Sequence, residues 1–522
     1  MTEPTDKPIK SVVVVGGGTA GWIVAGRLAA LHGGDEGVQV TLVEAPNIPA
    51  VGVGEGTWPT MRNTLRKLGI AESEFLRECG ATFKQGAKFA RWVSGDDDDF
   101  YYHPLVLPQG FTKMHLAPYW QRDLKAQGQS FSNAVCYQEQ LCERGLAPKQ
   151  MTTPEFASVA NYAYHLDAGK FAQLLERHST QKLGVRHLRD EVLSVNTLAN
   201  GDIESLNTRN SGVLAGDLFV DCTGFSSRLL GGHYRVPFID RSDVLFIDRA
   251  LAVQVPYEHE DDPIACHTIS TAQDAGWIWD IGLTCRRGVG YVYSSNHTSD
   301  EAAQQRLRDY LGGANVGPAI EKLSVREIPI HCGHREKFWI NNCVAVGLSA
   351  GFLEPLEASA LVLVELSAEM IAEQLPARRD VMDITARRFN ETFRYRWDRI
   401  VDFLKLHYLL SRREEEFWRD NRDPATVPDS LSELLALWRH RPPADFDFTS
   451  NNEVFPAASY QYVLYGMGFE TEIGSLAHTL RDESAAAEHF VSNQKATARA
   501  LAALPKHREL LEKIHQYGLQ AI

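Results

Sequence analysis

The hydrophobic pattern at the start of the chain predicts a strand, a tight turn and a helix. Val12 to Val15 form a short β-branched apolar run, which is followed by the sequence Gly16-Gly17-Gly18-Thr19-Ala20-Gly21. Trp22 to Leu31 then carry apolar residues at helical spacing. A second apolar run, Val38 to Val43, ends at the acidic residue Glu44. This order of elements predicts a βαβ unit.

The glycines of this turn have the spacing of a pyrophosphate-binding loop. Gly16 permits the turn, Gly18 lets the backbone approach a ligand, and Gly21 lets helix and strand pack closely. The N-terminus of the following helix favours an anion, and Glu44 can accept a hydrogen bond from a ribose hydroxyl. We therefore predict a dinucleotide site. The alternative is a glycine-rich turn that binds no ligand.

Later apolar runs indicate that this nucleotide fold is interrupted and resumed. Residues 45–167 are interpreted as mixed helical material, with Asp96 to Asp99 as a solvated turn. Gly184 to Leu188 and a hairpin over Val192 to Leu206, turning at Asn200-Gly201, lead into a buried strand that ends in a turn at Leu218 to Gly224.

The second half of the chain changes from strand-like to helix-like periodicity. Apolar and polar residues alternate from Val244 to Tyr293, which predicts an antiparallel sheet of the kind that covers a substrate. From Ala358 onward the pattern is mostly helical, with amphipathic stretches near Val381 to Arg419 and Gly474 to His515.

Composition and charge exclude several classes of partner. The chain has 522 residues and a formal net charge of −14, and no long basic stretch stands out, which argues against nucleic acid. Neither a signal peptide nor a membrane-spanning apolar run is evident, so we expect a cytoplasmic protein without a membrane partner. The eight cysteines include no Cys-x-x-Cys pair, and neither a metal nor a disulfide framework is expected.

Several sequence blocks together point to one family. They are Gly16 to Trp22, Gly52 to Thr57, Arg77 to Lys84, Tyr162 to Asp167, Asp221 to Phe225, Gly276 to Gly282, Gly290 to Ser294 and Asn342 to Ala360. In this order they resemble the flavin-dependent halogenases of the tryptophan halogenase type. The block with Trp277 and Trp279 resembles the family's Trp-x-Trp-x-Ile-Pro signature, with Gly282 where the family usually has proline.

The resemblance implies an α/β fold: an FAD-binding, Rossmann-type, monooxygenase-like fold with an inserted antiparallel sheet and a helical C-terminal part. Residues 1–360 would form a discontinuous FAD-binding domain, with the substrate-side sheet around 240–335. Residues 361–522 would form a mainly helical substrate-binding part packed on it.

The implied activity is two-component halogenation of a small aromatic substrate. FADH2 would arrive by diffusion from a separate NADH-dependent flavin reductase, and chloride or bromide would be oxidised to hypohalous acid. That acid would travel through the protein to the substrate. A homodimer is compatible with the resemblance.

Two side chains would carry the halogen transfer. Lys84 falls on the family's lysine between flavin and substrate, where an amine can orient hypohalous acid or form an N-haloamine. Glu357 would accept the proton lost from the arene or orient the electrophile, and the amides of Ser359 and Ala360 would bind the halide. The alternatives from the residues alone are a surface lysine and a glutamate that only caps a helix.

The resemblance also assigns the flavin contacts. Trp277 and Trp279 would form a wall between flavin and substrate, although two tryptophans that simply pack a sheet would show the same pattern. The predicted cofactor-binding residues are Gly16, Gly17, Gly18, Thr19, Ala20, Gly21, Glu44, Ala45, Gly54, Glu55, Val192, Leu348 and Leu361.

The predicted substrate contacts are His103, Leu105 and Tyr460. Indole, a substituted indole and tryptophan are all compatible with an aromatic, apolar pocket. Two alternatives to a halogenase stay open at this point: a flavin-dependent aromatic hydroxylase or NAD(P)H oxidase, and a flavin-binding protein that has lost halide chemistry.

Overall fold

The β-branched run at the start of the chain forms a central strand of a six-stranded sheet. The computed structural model describes residues 7–46, 54–313, 323–450, 453–476, 480 and 482–521. The sheet has the spatial order Trp339–Ile340, Cys343–Ala345, Leu218–Asp221, Ser11–Val15, Gln39–Glu44 and Arg186–Arg189. All neighbours are parallel except the first pair. Both faces are covered, which explains the unbroken apolar run.

The predicted βαβ unit is confirmed, and so is the return of the chain to this sheet. The helix after the glycine turn spans Thr19–His32 and packs against Ala168–Gln181 and Ser359–Glu373. The predicted hairpin forms two strands of a three-stranded sheet with members Val192–Thr197, Ile203–Thr208 and Val213–Ala215.

A seven-stranded sheet contains the antiparallel strands predicted after residue 244. Its spatial order is Arg326–Pro329, Arg249–Pro256, Arg286–Tyr293, Gly276–Gly282, Thr268–Gln273, Gly86–Ala90 and Phe100–Pro104. The last two strands come from the region that we interpreted as mixed helical, so that interpretation is incomplete. They are short, and they join the sheet through a pairing with Thr268–Gln273 that is remote in sequence.

The other strands of the described residues form two further three-stranded sheets. One has the order Gly54–Gly56, Ala163–Asp167, Thr82–Lys84, and it holds Lys84. The other has the order Phe238–Asp240, Gly333–Arg335, Gly351–Phe352. In the acidic loop, Asp96 to Asp98 are exposed, whereas Asp99 accepts backbone N–H bonds from residues 93 to 95.

Helices fill the regions between the sheets and most of the C-terminal part. The remaining α-helices are Met61–Leu68, Glu72–Glu78, Ala117–Asp123, Phe131–Val135, Gln138–Glu143, Asp300–Gly313, Arg379–Leu409, Glu416–Asp420, Asp429–Trp438, Ala457–Gly466, Ile473–Leu476, Glu483–Ala503 and His507–Tyr517. In the second amphipathic stretch, residues 477–479 and 481 lie outside the described residues. No helix in the described ranges is long and apolar enough to cross a bilayer.

One apolar cluster connects the two predicted domains. It runs from Ile9 through Trp277 and Leu361 to Ile514, and it therefore crosses the predicted boundary at residue 360. The division into two domains stays a prediction.

Candidate active site

A cavity of about 500 Å³ opens at the C-terminal ends of the parallel strands. This is the end of an open α/β sheet at which ligands bind, and the volume lies in the range of cofactor pockets. Of the predicted cofactor-binding residues, those that line it are Gly16, Gly17, Gly18, Thr19, Ala20, Glu44, Ala45, Gly54, Glu55, Val192, Leu348 and Leu361. Lys84, Trp277, Trp279, Glu357, Ser359 and Ala360 line it as well.

The glycine turn is shaped for close approach of a ligand. Gly16 has a φ of 115°, and a Cβ there would lie 2.1 Å from the carbonyl oxygen of Cys222. A Cβ on Gly18 would have no heavy atom within 4 Å, which leaves its backbone open to the cavity. No side chain among the described residues caps the helix that begins at Thr19. Its first N–H groups can therefore face an anion, and this cradle fits the pyrophosphate of FAD.

Gly21 has a packing role. It is absent from the residues that line the cavity, and a Cβ there would lie 1.9 Å from the carbonyl oxygen of Gly16. It therefore permits the close contact between helix and turn. Glu44 ends its strand beside the cavity, where one carboxylate oxygen lies 2.8 Å from His187 Nε2. Burial raises the pKa of Glu55 to about 7.

Lys84 is buried at the wall of this cavity. The residue is 3% exposed, and its Nζ donates to the Thr57 carbonyl oxygen at 3.3 Å. A Cβ built on Gly56 would lie 3.4 Å from Nζ and 3.3 Å from the Cβ of Ala358, so the amine adjoins the turn that carries Glu357. Burial lowers the pKa of Lys84 to about 8, and the negative charge of Glu357 opposes that shift.

Glu357 lies at the centre of a buried cluster of polar side chains. Its Oε1 is 2.7 Å from His103 Nδ1 and 3.4 Å from His407 Nε2. His103 Nε2 contacts Ser459 Oγ at 2.9 Å, and His407 Nδ1 contacts the Tyr101 hydroxyl at 2.5 Å. Burial acts to raise the pKa of Glu357, but the two imidazoles outweigh it and hold that pKa well below its usual range. The carboxylate is therefore ionised at neutral pH.

The backbone that presents Glu357 is strained. Glu357 and Ala358 have φ values of 61° and 55°, in the left-handed region that non-glycine residues avoid. The helix Ser359–Glu373 begins directly afterwards, and the predicted halide residues Ser359 and Ala360 form its first turn on the cavity wall. The indole N–H of Trp58 donates to the Glu357 carbonyl oxygen at 2.8 Å, which helps to hold this turn.

The two tryptophans of the predicted wall lie on one face of the strand Gly276–Gly282. Their ring centroids are 6.5 Å apart, and both rings line the cavity. The indole N–H of Trp277 donates to Glu354 Oε2 at 3.1 Å, and Tyr408 donates to the same carboxylate. At the end of the strand, a Cβ on Gly282 would lie 2.9 Å from Ile264 Cγ2, so this glycine fills a position without room for a side chain.

None of the three predicted substrate residues lines this cavity. His103 contacts Glu357 directly. The His103 ring also lies near that of Trp58, with ring centroids 5.8 Å apart. Leu105 is half-buried and its N–H donates to Gln138 Oε1 at 2.8 Å. Tyr460 is fully buried and packs on Phe403, with ring centroids 4.8 Å apart. The structure thus joins His103 to Glu357 but does not bring Leu105 or Tyr460 to the cavity.

We did not predict two groups of the site from the sequence. His407 lies inside the long helix Arg379–Leu409, where nothing in the pattern marks it. Glu354 lies three residues before Glu357 in the same sequence block, and its place in that block could have identified it. Burial raises the pKa of Glu354 to about 7, and its Oε1 has no hydrogen-bond partner among the described residues.

Comparison with known proteins identifies relatives that match this chain over nearly its full length. A sequence profile of the tryptophan halogenase family matches residues 11–482. Tryptophan 6-halogenase SttH of Streptomyces toxytricini is 34% identical over 97% of this chain and 98% of its own length. Tryptophan 7-halogenase RebH of Lentzea aerocolonigenes is 32% identical over 97% and 99%.

A solved structure agrees with these sequence matches. The tryptophan halogenase from Shewanella frigidimarina superposes with a TM-score of 0.95 at 49% identity, covering 99% of this chain and 100% of that one. The blocks that suggested the resemblance therefore belong to a match that spans the whole fold. The chain is a member of the tryptophan halogenase family of flavin-dependent enzymes.

Proposed function

We propose that this chain is a two-component, FADH2-dependent halogenase that transfers chlorine or bromine to an electron-rich arene of the indole type. The observation that carries the proposal is the position of the Lys84 amine. It is buried on the wall of the cavity that the glycine turn and the tryptophans also line, next to the turn of Glu357. Bound reduced flavin would supply, with oxygen and halide, the oxidised halogen.

Lys84 would receive hypohalous acid and hold it for transfer. Its lowered pKa of about 8 leaves part of the amine neutral in mildly alkaline solution, and a neutral amine can accept a hydrogen bond from the acid or form an N-haloamine with release of water. Because the strand Thr82–Lys84 is paired with Ala163–Asp167, the side chain starts from a fixed backbone. This would favour one direction of delivery.

Glu357 would act on the arene side. Electrophilic attack places positive charge on the ring, and an ionised carboxylate stabilises that charge. The ring then loses its proton, and because a protonated arene is a strong acid, even a carboxylate of low pKa can accept it. In the net reaction the arene exchanges a proton for the halogen, and water is the co-product. His103 and His407 would keep the carboxylate ionised and oriented.

Trp277 and Trp279 would separate the flavin from the arene. Both indoles line the cavity, and Glu354 and Tyr408 restrain Trp277 through its N–H group. A wall of this kind keeps the arene away from the flavin, where hydroxylation would otherwise compete. The proposed substrate class is indole, a substituted indole or tryptophan, because the relatives are named tryptophan halogenases. The rings of His103 and Trp58 lie beside Glu357, which is compatible with an aromatic substrate. The related 6- and 7-halogenases have nearly equal identity to this chain, so identity does not select a ring carbon.

The decisive test replaces the amine without changing the volume of the side chain greatly. We expect Lys84→Met to lower halogenation by at least about 100-fold, because the transfer group is lost. Product would be measured by mass spectrometry on a panel of indoles, with FAD, a flavin reductase and each halide supplied separately. FAD affinity, measured by fluorescence titration, should stay within about twofold.

The matched control is Lys88→Met, four residues further along the chain. Lys88 is half-buried, pairs with Glu143 at 2.6 Å and does not line the cavity. This variant should halogenate like the unchanged enzyme. Undiminished halogenation by Lys84→Met would refute the proposal, and so would hydroxylated product that forms without halide.

A further inference from the structure

Two cysteines and a histidine from separate parts of the chain meet inside the protein. Cys142 belongs to the helix Gln138–Glu143, whereas Cys266 and His267 directly precede the strand Thr268–Gln273. Their two Sγ atoms and one imidazole nitrogen all lie within 4.8 Å of one another. The three residues are 4%, 0% and 7% exposed. Both cysteines are free thiols.

The histidine of this group has an unused nitrogen. His267 Nε2 faces the Tyr102 hydroxyl at 3.4 Å, and buried Nδ1 has no hydrogen-bond partner of good geometry among the described residues. The imidazole also interacts with the neighbouring Cys266 thiol and acts to lower the pKa of that thiol. Buried polar atoms are rarely left without a partner, so each exception requires an explanation. A bound ion next to two thiols is an explanation that uses all three side chains.

We propose that Cys142, Cys266 and His267 form a binding site for Zn²⁺. Two thiolates and one imidazole are ligands that zinc prefers, and the soft sulfur atoms disfavour Mg²⁺ and Ca²⁺. Each thiol would give its proton to solvent on binding, so two negative sulfurs would balance the charge of the ion. Water would take the fourth position, because the nearby carboxylate of Glu143 already pairs with Lys88 and accepts from Tyr102.

The geometry needs only local adjustment of side chains. Zinc binds sulfur at about 2.3 Å and imidazole nitrogen at about 2.0 Å. The two sulfur atoms and the imidazole nitrogen, which now lie within 4.8 Å of one another, would therefore have to move slightly closer together. Rotation of the cysteine side chains can provide this.

An ion at this position would stabilise the backbone of the segment that carries Lys84. The carbonyl oxygen of Cys266 accepts the N–H of Gln85, which follows Lys84, at 2.7 Å. His267 precedes Thr268, which lines the cavity and contacts His165 Nε2 at 2.9 Å. The site would therefore be structural, because it fixes backbone next to the cavity without touching the reacting groups.

The test uses full-length, tag-free protein with reduced thiols under nitrogen. Titration with Cd²⁺, a zinc analogue, should produce the ultraviolet sulfur-to-cadmium charge-transfer band at one equivalent. After dialysis against Zn²⁺, elemental analysis should find one bound ion per protein molecule. Added Zn²⁺ should also raise Tm. Cys142→Ser, Cys266→Ser and His267→Gln should each weaken Zn²⁺ binding by about tenfold or more.

The control is Cys285→Ser, which removes an exposed thiol and should bind like the unchanged protein. Circular dichroism shows whether each variant is folded. If Cys266→Ser does not fold, Cys142→Ser and the unchanged protein still decide. Absence of the sulfur band in the unchanged protein would overturn the proposal, even if Zn²⁺ bound elsewhere, for example at Glu44, Glu176 and His187. These measurements need neither flavin nor halide, so they are independent of the proposed function.

Discussion

Lys84 illustrates how a single buried, ionisable side chain can lower stability. The amine is almost completely buried and has one hydrogen bond among the described contacts, to the Thr57 carbonyl. Burial of a charged group costs free energy unless the group is paired, and here the cost is visible as a pKa lowered to about 8 from 10.5. The role that we propose for the amine in the cavity would account for a residue that does not stabilise the fold.

Lys84→Met should therefore stabilise the protein at neutral pH. The folded state binds the proton less tightly than the unfolded state, so the lysine lowers the free energy of unfolding most below pH 8, and the loss fades as pH rises from about 8 to 10.5. We expect a gain on the order of 3 kcal/mol at pH 7 that is already smaller at pH 9. Urea unfolding at both pH values measures it.

The partly exposed Lys88 offers the comparison for this measurement too. Lys88→Met loses an ion pair with Glu143 and gains no relief from burial, so it should not stabilise the protein at pH 7. A Lys84→Met variant that is less stable than the unchanged protein at pH 7 would contradict the explanation.

At the scale of one element, the helix Ser359–Glu373 depends on the strained turn before it. The turn aims the Glu357 carboxylate at His103 while the helix start faces the cavity, and this requires two residues in the left-handed region. An alanine there has a steric cost of about 1 kcal/mol or more, which a glycine avoids. The strain is thus coupled to the placement of the carboxylate that we propose acts on the arene.

Ala358→Gly should raise the free energy of unfolding by roughly 0.5 kcal/mol, because relief of strain exceeds the added entropy of the unfolded chain. The same change in the buried interior of that helix, Ala368→Gly, should lower it by about 1 kcal/mol or more. Denaturant midpoints of the two variants provide the measurement. Equal destabilisation by both would show that the turn is not strained.

At the scale of the whole molecule, one apolar core links the parts before and after residue 360. The helix Arg379–Leu409 contributes Phe389 and Trp397 to the same cluster as Val12 and Trp22 near the N-terminus. The last helix, His507–Tyr517, packs against Glu72–Glu78. Neither part can therefore expose its core alone without uncovering the other.

We expect the whole chain to unfold in one transition. Near-ultraviolet circular dichroism, which reports the packed tryptophans, and far-ultraviolet circular dichroism, which reports helices, should give the same midpoint in urea. Differential scanning calorimetry should show one peak. Two separated transitions would instead support two independently stable domains with a boundary near residue 360.

The sequence by itself determined the βαβ unit, the glycine cradle and the order of the family blocks, because these depend on local periodicity and short spacing. It also pointed to Lys84 and Glu357, since both lie inside such blocks. Only the tertiary structure decided that His407 supports Glu357, that Gly86–Ala90 joins a sheet with Thr268–Gln273, and that Cys142 meets Cys266. These contacts join residues far apart in the chain, and no local pattern encodes which distant side chain will fill a buried space.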